Sequence, residues 1–101
     1  MHITINNYIS YKIDKLLTLD SFTKLLSKIN NNIENIYFMK CKINYNIIEY
    51  LSKLDKIPFI VLDKCTIIDP LSNFFISFEN IQKYITIKKI MLIMINDIDD
   101  L

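Results

Sequence analysis

Short isoleucine-rich runs alternate with helical patterns along the chain. The apolar runs with strand character are residues 2–6, 36–40, 59–63 and 90–95. Between them, apolar residues recur at the spacing typical of an amphipathic helix, most clearly at Phe22, Leu25, Leu26 and Ile29. The element order strand, helix, strand, helix, strand, helix, strand predicts parallel strands covered by helices.

Each helical pattern begins near a residue whose side chain can accept hydrogen bonds from the first turn. Asp20 or Ser21 is placed to cap the first helix, and Asn46 is placed to cap the second. Asp69 followed by Pro70 matches an N-cap residue and the first helical position. A third helix is therefore expected, with one apolar face formed by Leu71, Phe74, Phe75, Phe78 and Ile81.

The segments 33–56 and 57–80 repeat one pattern at an offset of 24 residues. Apolar residues and cysteines coincide, whereas most of the intervening residues differ. The matched pairs are Ile33 with Ile57, Ile36 with Ile60, Phe38 with Leu62, Cys41 with Cys65, Ile43 with Ile67, Ile47 with Leu71 and Leu51 with Phe75. Internal similarity at a period of about 20 to 50 residues indicates a repeat architecture.

The spacing apolar-x-x-apolar-x-apolar-x-x-Cys-x-apolar resembles the leucine-rich repeat, in the longer variety that has Cys at the turn and a helix on the outer side. This resemblance implies an α/β fold, a short leucine-rich-repeat-like solenoid of three to four turns with a parallel sheet and outer helices. Residues 1–32 and 81–101 are then atypical terminal repeats. The chain also resembles the leucine-rich-repeat gene families of insect poxviruses in its composition and repeat.

The length of 101 residues supports one hydrophobic core and is too short for two, so residues 1–101 are expected to form a single domain. The alternative to the solenoid is a compact three-layer α/β domain with the same element order.

The composition removes several classes of function. Twelve lysines against 11 acidic residues give a formal net charge of +1, which lacks the basic excess of a nucleic-acid-binding protein. The densest basic patch, Lys83, Lys88 and Lys89, carries too few charges to hold nucleic acid at physiological salt. The apolar run 90–95 is much shorter than the roughly 20 residues that span a bilayer. The first residues lack the features of a secretory signal, so a cytoplasmic location is expected, the host cytoplasm if the protein is viral.

Catalytic chemistry is not expected from the residues available. The chain has one histidine, His2, and no glycine, so histidine-based triads and glycine-rich phosphate loops are not recognisable. His2, Cys41 and Cys65 fall short of the four ligands of a tetrahedral zinc site. We expect buried, reduced cysteines, no metal, no cofactor and no enzymatic activity.

The strand residues that alternate with the buried ones should lie on the uncovered face of the sheet. Several of them are large and apolar, which is unusual for a face that stays in water. We therefore expect a non-enzymatic protein–protein interaction module, one form of which is a viral accessory protein that binds a host protein. The alternative is a structural protein that self-associates into a homo-oligomer. The candidate partner-binding residues are Tyr37, Met39, Lys40, Phe59, Val61, Asp63, Lys64 and Met91, beside Lys88, Lys89 and Ile93.

Overall fold

Strands make up most of the regular structure in the computed structural model, which describes residues 1–54, 56, 59–72 and 92–96. The predicted strand at 59–63 is confirmed, and the strands expected at 2–6, 36–40 and 90–95 are found within one or two residues of those bounds. In chain order the elements are β1 (His2–Ile5), β2 (Ile9–Lys12), α1 (Leu19–Leu26), β3 (Asn35–Met39), β4 (Lys42–Asn44), α2 (Tyr45–Ser52), β5 (Phe59–Asp63), β6 (Thr66–Ile68) and β7 (Leu92–Asn96).

The large sheet is mixed, with the strand order β2-β1-β3-β5-β7. β3, β5 and β7 are parallel to one another, whereas β1 is antiparallel to both β2 and β3. The expectation of an all-parallel sheet is therefore wrong at the N-terminal side. The reason is a tight turn at Asn6 and Asn7, which have φ angles of 55° and 67° and reverse the chain into the unpredicted strand β2. Two successive residues with positive φ are the mark of a type I′ hairpin turn.

The 24-residue offset is preserved as strand pairing. In the large sheet Ile36 pairs with Ile60, and in the small two-stranded sheet Ile43 of β4 pairs with Ile67 of β6. The expected parallel pairing of the strands at 36–40 and 59–63 is confirmed, whereas the sequence pattern did not predict the small sheet. An isolated parallel bridge joins Leu17 to Ile43, and the Leu17 amide donates to the Lys42 carbonyl at 2.8 Å. The small ladder therefore continues one step towards the N-terminus.

Both helices begin earlier than the sequence pattern predicts. α1 is capped by Thr18, whose hydroxyl accepts from the Ser21 amide at 3.2 Å while the Ser21 hydroxyl accepts from the Thr18 amide at 3.2 Å. This reciprocal pair displaces the predicted cap at Asp20 or Ser21. α2 begins after Asn44, where β4 ends, and not after Asn46. The small ladder thus fixes the helix start.

The predicted third helix falls mostly outside the described residues. Asp69 makes the hydrogen bonds expected of an N-cap residue. Its carboxylate accepts from the Leu71 amide at 3.0 Å and from the Ser72 hydroxyl at 3.2 Å. Leu71 itself is 94% exposed, so its predicted inward position, equivalent to that of the buried Ile47, is wrong.

One hydrophobic core joins the helices to both sheets. Phe22 of α1 packs on Phe38 of β3 with ring centroids 5.9 Å apart and planes tilted by 37°, and it meets Tyr50 of α2 edge-on at 6.5 Å. Both helices cover the same face of the large sheet, so the described residues form a compact α/β domain with two layers and not three. They do not form a solenoid of three to four complete turns. The fully buried side chains are Ile3, Ile5, Phe22, Ile36, Phe38, Ile43, Ile47, Ile48, Leu51, Ile60, Leu62 and Ile67.

Candidate functional site

The face of the large sheet that points away from the helices is the candidate site, and we call it the open face. In β3 the buried residues Ile36 and Phe38 alternate with Tyr37 and Met39, which are half-buried and exposed. Such alternation assigns successive side chains to opposite sides of the sheet. By the same alternation and pairing, the described residues of the open face are His2, Thr4, Ser10, Lys12, Asn35, Tyr37, Met39, Phe59, Val61 and Asp63.

Five of the eight predicted partner-binding residues lie together on this face. Tyr37 pairs with Val61 and Met39 pairs with Asp63, while Phe59 pairs with Asn35 at the start of the two strands. The candidate residues Met91, Lys88 and Lys89 lie outside the described residues. Ile93 occupies the β7 position paired with Val61.

A shallow depression of about 250 Å³ lies at the end of the open face where β3 and β5 begin. The residues that line it are Asn7, Asn35, Ile36, Tyr37, Phe59 and Val61, and on the open face they present apolar and amide side chains. The mixture provides apolar contact area together with amide groups that donate and accept hydrogen bonds. It is too small for most small-molecule ligands and of a size to receive one side chain.

Val61 is more buried than a residue of an uncovered face should be. Its exposed fraction is 9%, yet it does not belong to the cluster that forms the core. Its central position in the sheet accounts for much of this burial, because two large side chains of the same face flank it. Tyr37 is its neighbour on β3, and Phe59 is the residue two positions earlier on β5. Val61 therefore contributes the floor of the depression and is less exposed than expected, while its part in partner binding stays a prediction.

Tyr37 and Asp63 form a polar pair across the two parallel strands. The Tyr37 hydroxyl donates to Asp63 Oδ2 at 2.6 Å, a diagonal contact between neighbouring strands. This hydrogen bond, together with burial and the negative charge of Asp63, raises the pKa of Tyr37 above its ordinary value of 10.0. The pair fixes the orientation of the Tyr37 ring beside the depression.

Lys40 and Lys64 lie in turns and not, as expected, among the strand residues of the uncovered face. They directly follow β3 and β5, are exposed, and have φ angles of 54° and 53°. The Lys40 amide donates to the Asp63 carbonyl at 2.8 Å, which joins the two turns. The left-handed geometry directs the chain into the core at Cys41 and Cys65, so both lysines stand at the corner of the open face.

The two cysteines occupy equivalent buried positions after these turns. Cys41 and Cys65 are free thiols that are 1% and 2% exposed. Sγ of Cys65 lies 3.3 Å from the Phe38 carbonyl oxygen and 3.4 Å from that of Asp63, and Sγ of Cys41 lies at the same two distances from the carbonyl oxygens of His2 and Met39. The prediction of buried, free cysteines is confirmed, and both thiols lie close to backbone carbonyl oxygens. The neighbouring Cys41 thiol and burial raise the pKa of Cys65, which makes it a poor nucleophile.

The sequence interpretation missed the part of the open face contributed by β1 and β2. His2 pairs with Met39 on one side and with Lys12 on the other, so both belong to the row that contains Asp63. The signal available was the alternation of Ile9, Tyr11 and Ile13 after the Asn6–Asn7 pair, which is typical of a hairpin.

The asparagine run before β3 serves the hairpin turn. The Asn6 side chain donates to the Asn32 carbonyl at 2.7 Å and accepts from the Glu34 amide at 2.7 Å, and Asn31 donates to the Tyr8 hydroxyl at 3.0 Å. These contacts position the Asn7 side of the depression. They assign the run a structural role in holding β1 against β3.

Within the described ranges, no group of three or more histidine, cysteine or acidic side chains is arranged to hold a metal ion. Among the helices of the same residues, none is long and apolar enough to cross a membrane.

The chain was compared with protein-family models, curated proteins and solved structures. No family model, no curated protein and no solved structure matches it.

Proposed function

We propose that the chain is a non-enzymatic interaction module that binds a partner protein through the open face. The observation that carries this proposal is a side-chain-sized depression lined by Tyr37 and Phe59, together with the exposed Met39 on the same face. Aromatic residues and methionine are enriched in the centres of protein interfaces, where they fill pockets. Polar groups surround these residues, as in the rim of an interface.

We also propose that the fold is a leucine-rich-repeat type of stack that the β1–β2 hairpin closes at one end. Three equivalences at the 24-residue offset support it: the register of two parallel ladders, the left-handed turns at Lys40 and Lys64, and the thiol contacts of Cys41 and Cys65. If the resemblance to insect-poxvirus families extends to function, the partner is a host protein.

Site-specific photo-crosslinking in a cytosolic extract tests the interaction. A photoreactive phenylalanine analogue replaces Met39 on the open face, and a matched protein carries it at the exposed Lys53 after α2. We expect a discrete adduct from position 39 that is absent from position 53. An excess of the unlabelled protein should abolish the adduct, whereas an excess of the Tyr37→Glu variant should not. Equal competition by both proteins, or equal adducts from both positions, contradicts the proposal.

Self-association is the second candidate, and the free edge of β2 favours it. β2 is the terminal strand of the described sheet. The Ile13 amide donates to the Met1 carbonyl at 2.8 Å, so by the alternation of an antiparallel ladder the backbone groups of Ser10 and Lys12 point away from β1. Such an edge can pair with a strand of a second chain, although an edge lysine opposes this pairing.

Size-exclusion chromatography with light scattering separates the two candidates. A monomer over a broad concentration range favours a different partner protein. A dimer that Ser10→Pro dissociates favours pairing through β2, because proline removes the outward amide. Lys24→Ala, a change at an exposed residue of α1, is the control and should leave the mass unchanged.

A further inference from the structure

The open face has an apolar end and a basic end. The apolar end is the depression beside Phe59, where β3 and β5 begin. At the other end of the strands, Lys12 lies in the row with Met39 and Asp63, and Lys40 and Lys64 occupy the turns that follow. We call these three lysines the basic end. All three are exposed, so their ammonium groups are available to a partner.

The positive charge of the basic end is not neutralised within the part of the chain that the structure describes. The ion pair found there joins Lys24 to Asp20 on α1, remote from the open face. Asp63 is the acidic residue among the described members of the open face, and its carboxylate accepts the Tyr37 hydroxyl. Among the residues that the structure describes, three lysines to one carboxylate leave an excess of positive charge at this end.

The charge distribution selects between possible occupants. A second copy of the chain could be placed face to face in two orientations. One would bring the two basic ends together, and the other would bring each basic end against an uncharged depression, so neither makes an attractive charge contact. Nucleic acid needs more cationic contacts than three lysines for stable binding at physiological salt. The carboxylates of an acidic protein segment can pair with the lysines of the basic end, and an apolar side chain of the same segment can fill the depression.

The spacing of the two ends sets the spacing in the ligand. Phe59 and Asp63 are four residues apart along β5, so the two rows are about 13 Å apart at roughly 3.3 Å per residue. An extended peptide covers the same distance in about four residues. The ligand should therefore carry its acidic residues about three to five positions from its apolar anchor.

We propose that the open face binds an extended acidic segment of a partner protein, with an aromatic or aliphatic side chain in the depression and aspartate or glutamate at the basic end. This inference rests on the proposed function and adds the chemistry of the partner. The exposed lysines contribute attraction and specificity for the acidic segment, and the depression contributes the apolar anchor.

Selection from a displayed library of random 12-residue peptides tests the inference on the whole chain. The enriched peptides are synthesised, and their binding is measured by fluorescence anisotropy. The test variant is Lys12→Glu, Lys40→Glu, Lys64→Glu. The control variant is Lys24→Glu, Lys28→Glu, Lys53→Glu, which makes the same change in net charge at exposed lysines in or shortly after the two helices, on the other side of the sheet. Circular dichroism and urea unfolding establish that each variant is folded.

We expect enriched peptides that carry aspartate or glutamate three to five positions from an aromatic or aliphatic residue. Their affinity should fall by about tenfold or more in the test variant and by less than about threefold in the control, because charge contacts at exposed sites are individually weak and act here as a group. The affinity should also fall as the salt concentration rises.

Other outcomes overturn the inference in distinguishable ways. Peptides without acidic residues, whose binding is lost with Phe59→Ala but not with the charge reversals, refute the acidic ligand and keep the proposed function. Displacement of the peptides by an equal concentration of a single-stranded oligonucleotide refutes a protein ligand. Failure to enrich any peptide whose binding depends on the open face refutes both the inference and the proposed function.

Discussion

Replacing Lys40 and Lys64 by glycine should stabilise the fold, although it removes two side chains. Both residues have left-handed backbone conformations, with φ angles of 54° and 53°. In that region the Cβ atom of an L-amino acid comes close to the following carbonyl oxygen. Glycine has no Cβ, so the turn geometry costs it nothing sterically.

The magnitude follows from two opposing terms. The left-handed conformation costs a residue with a Cβ roughly 1–2 kcal/mol. Glycine loses more backbone entropy on folding, which costs about 0.5–1 kcal/mol. The exposed lysine side chains add little, and the hydrogen bond from the Lys40 amide to Asp63 is made by the backbone and is retained. Each substitution should therefore stabilise by about 0.5–1 kcal/mol, or several degrees in Tm for a domain of about 100 residues.

Urea unfolding followed by circular dichroism measures these changes. Lys15→Gly is the control, because Lys15 is exposed and lies outside the positive-φ positions of the described chain, so it should lose about 0.5–1 kcal/mol. Lys40→Asn should show a gain of the same sign, since asparagine tolerates this conformation better than lysine does. Destabilisation by Lys40→Gly as large as that of Lys15→Gly refutes the reasoning.

Three further predictions address the core, the thiols and the tyrosine pair. Leu62→Ala should lower the free energy of unfolding by about 2–5 kcal/mol in urea titrations, whereas Lys53→Ala should change it by less than about 0.5 kcal/mol; equal midpoints would contradict the repeat phase. Cys65 should react with a thiol reagent only as fast as the protein opens, so rapid labelling of native protein would contradict its burial. The hydrogen bond to Asp63 raises the pKa of Tyr37, so above about pH 10 the unfolded state loses a proton that the folded state retains. The free energy of unfolding should therefore fall as the pH rises above about 10. Urea titrations at several pH values should detect this fall and should show a smaller one for Tyr37→Phe.

The sequence was sufficient for the part of the fold in which side chains repeat. Ile36 and Ile60 fill equivalent positions of the same core, and the period of 24 residues places them directly beside each other. The buried cysteines could be predicted for the same reason, since both occupy the same phase. Half of the open face followed as well, because in a strand the residue between two buried ones points to the other side.

The direction of β1 could not be predicted from apolar positions alone. Ile3 and Ile5 face the core whether the strand is parallel or antiparallel to β3, since alternation has no direction. The direction is set by the Asn6–Asn7 turn and by the hydrogen bonds that join Asn6 to residues 32–35. The chain contains no glycine, so the usual marker of a positive φ is missing and asparagine takes its place. At positions 40 and 64 lysine adopts the positive φ angle, and the residue type does not indicate this conformation in the sequence.

The thiol contacts explain how an antiparallel strand can border the parallel strands of the sheet. Cys65 is close to the carbonyl oxygen of Phe38 in the preceding parallel strand β3. Cys41 has no such parallel neighbour, and the carbonyl oxygen of His2 in β1 stands at the same 3.3 Å. A backbone carbonyl can accept a hydrogen bond whether its strand is parallel or antiparallel to its neighbour. The His2 carbonyl of β1 can therefore be the acceptor for the Cys41 thiol, although no residue of β1 matches the repeat. A hairpin can therefore border the parallel strands on this side and leave no trace of the period in residues 1–32. This is why the N-terminal segment departs from the repeat in sequence while it supplies the backbone contact of Cys41.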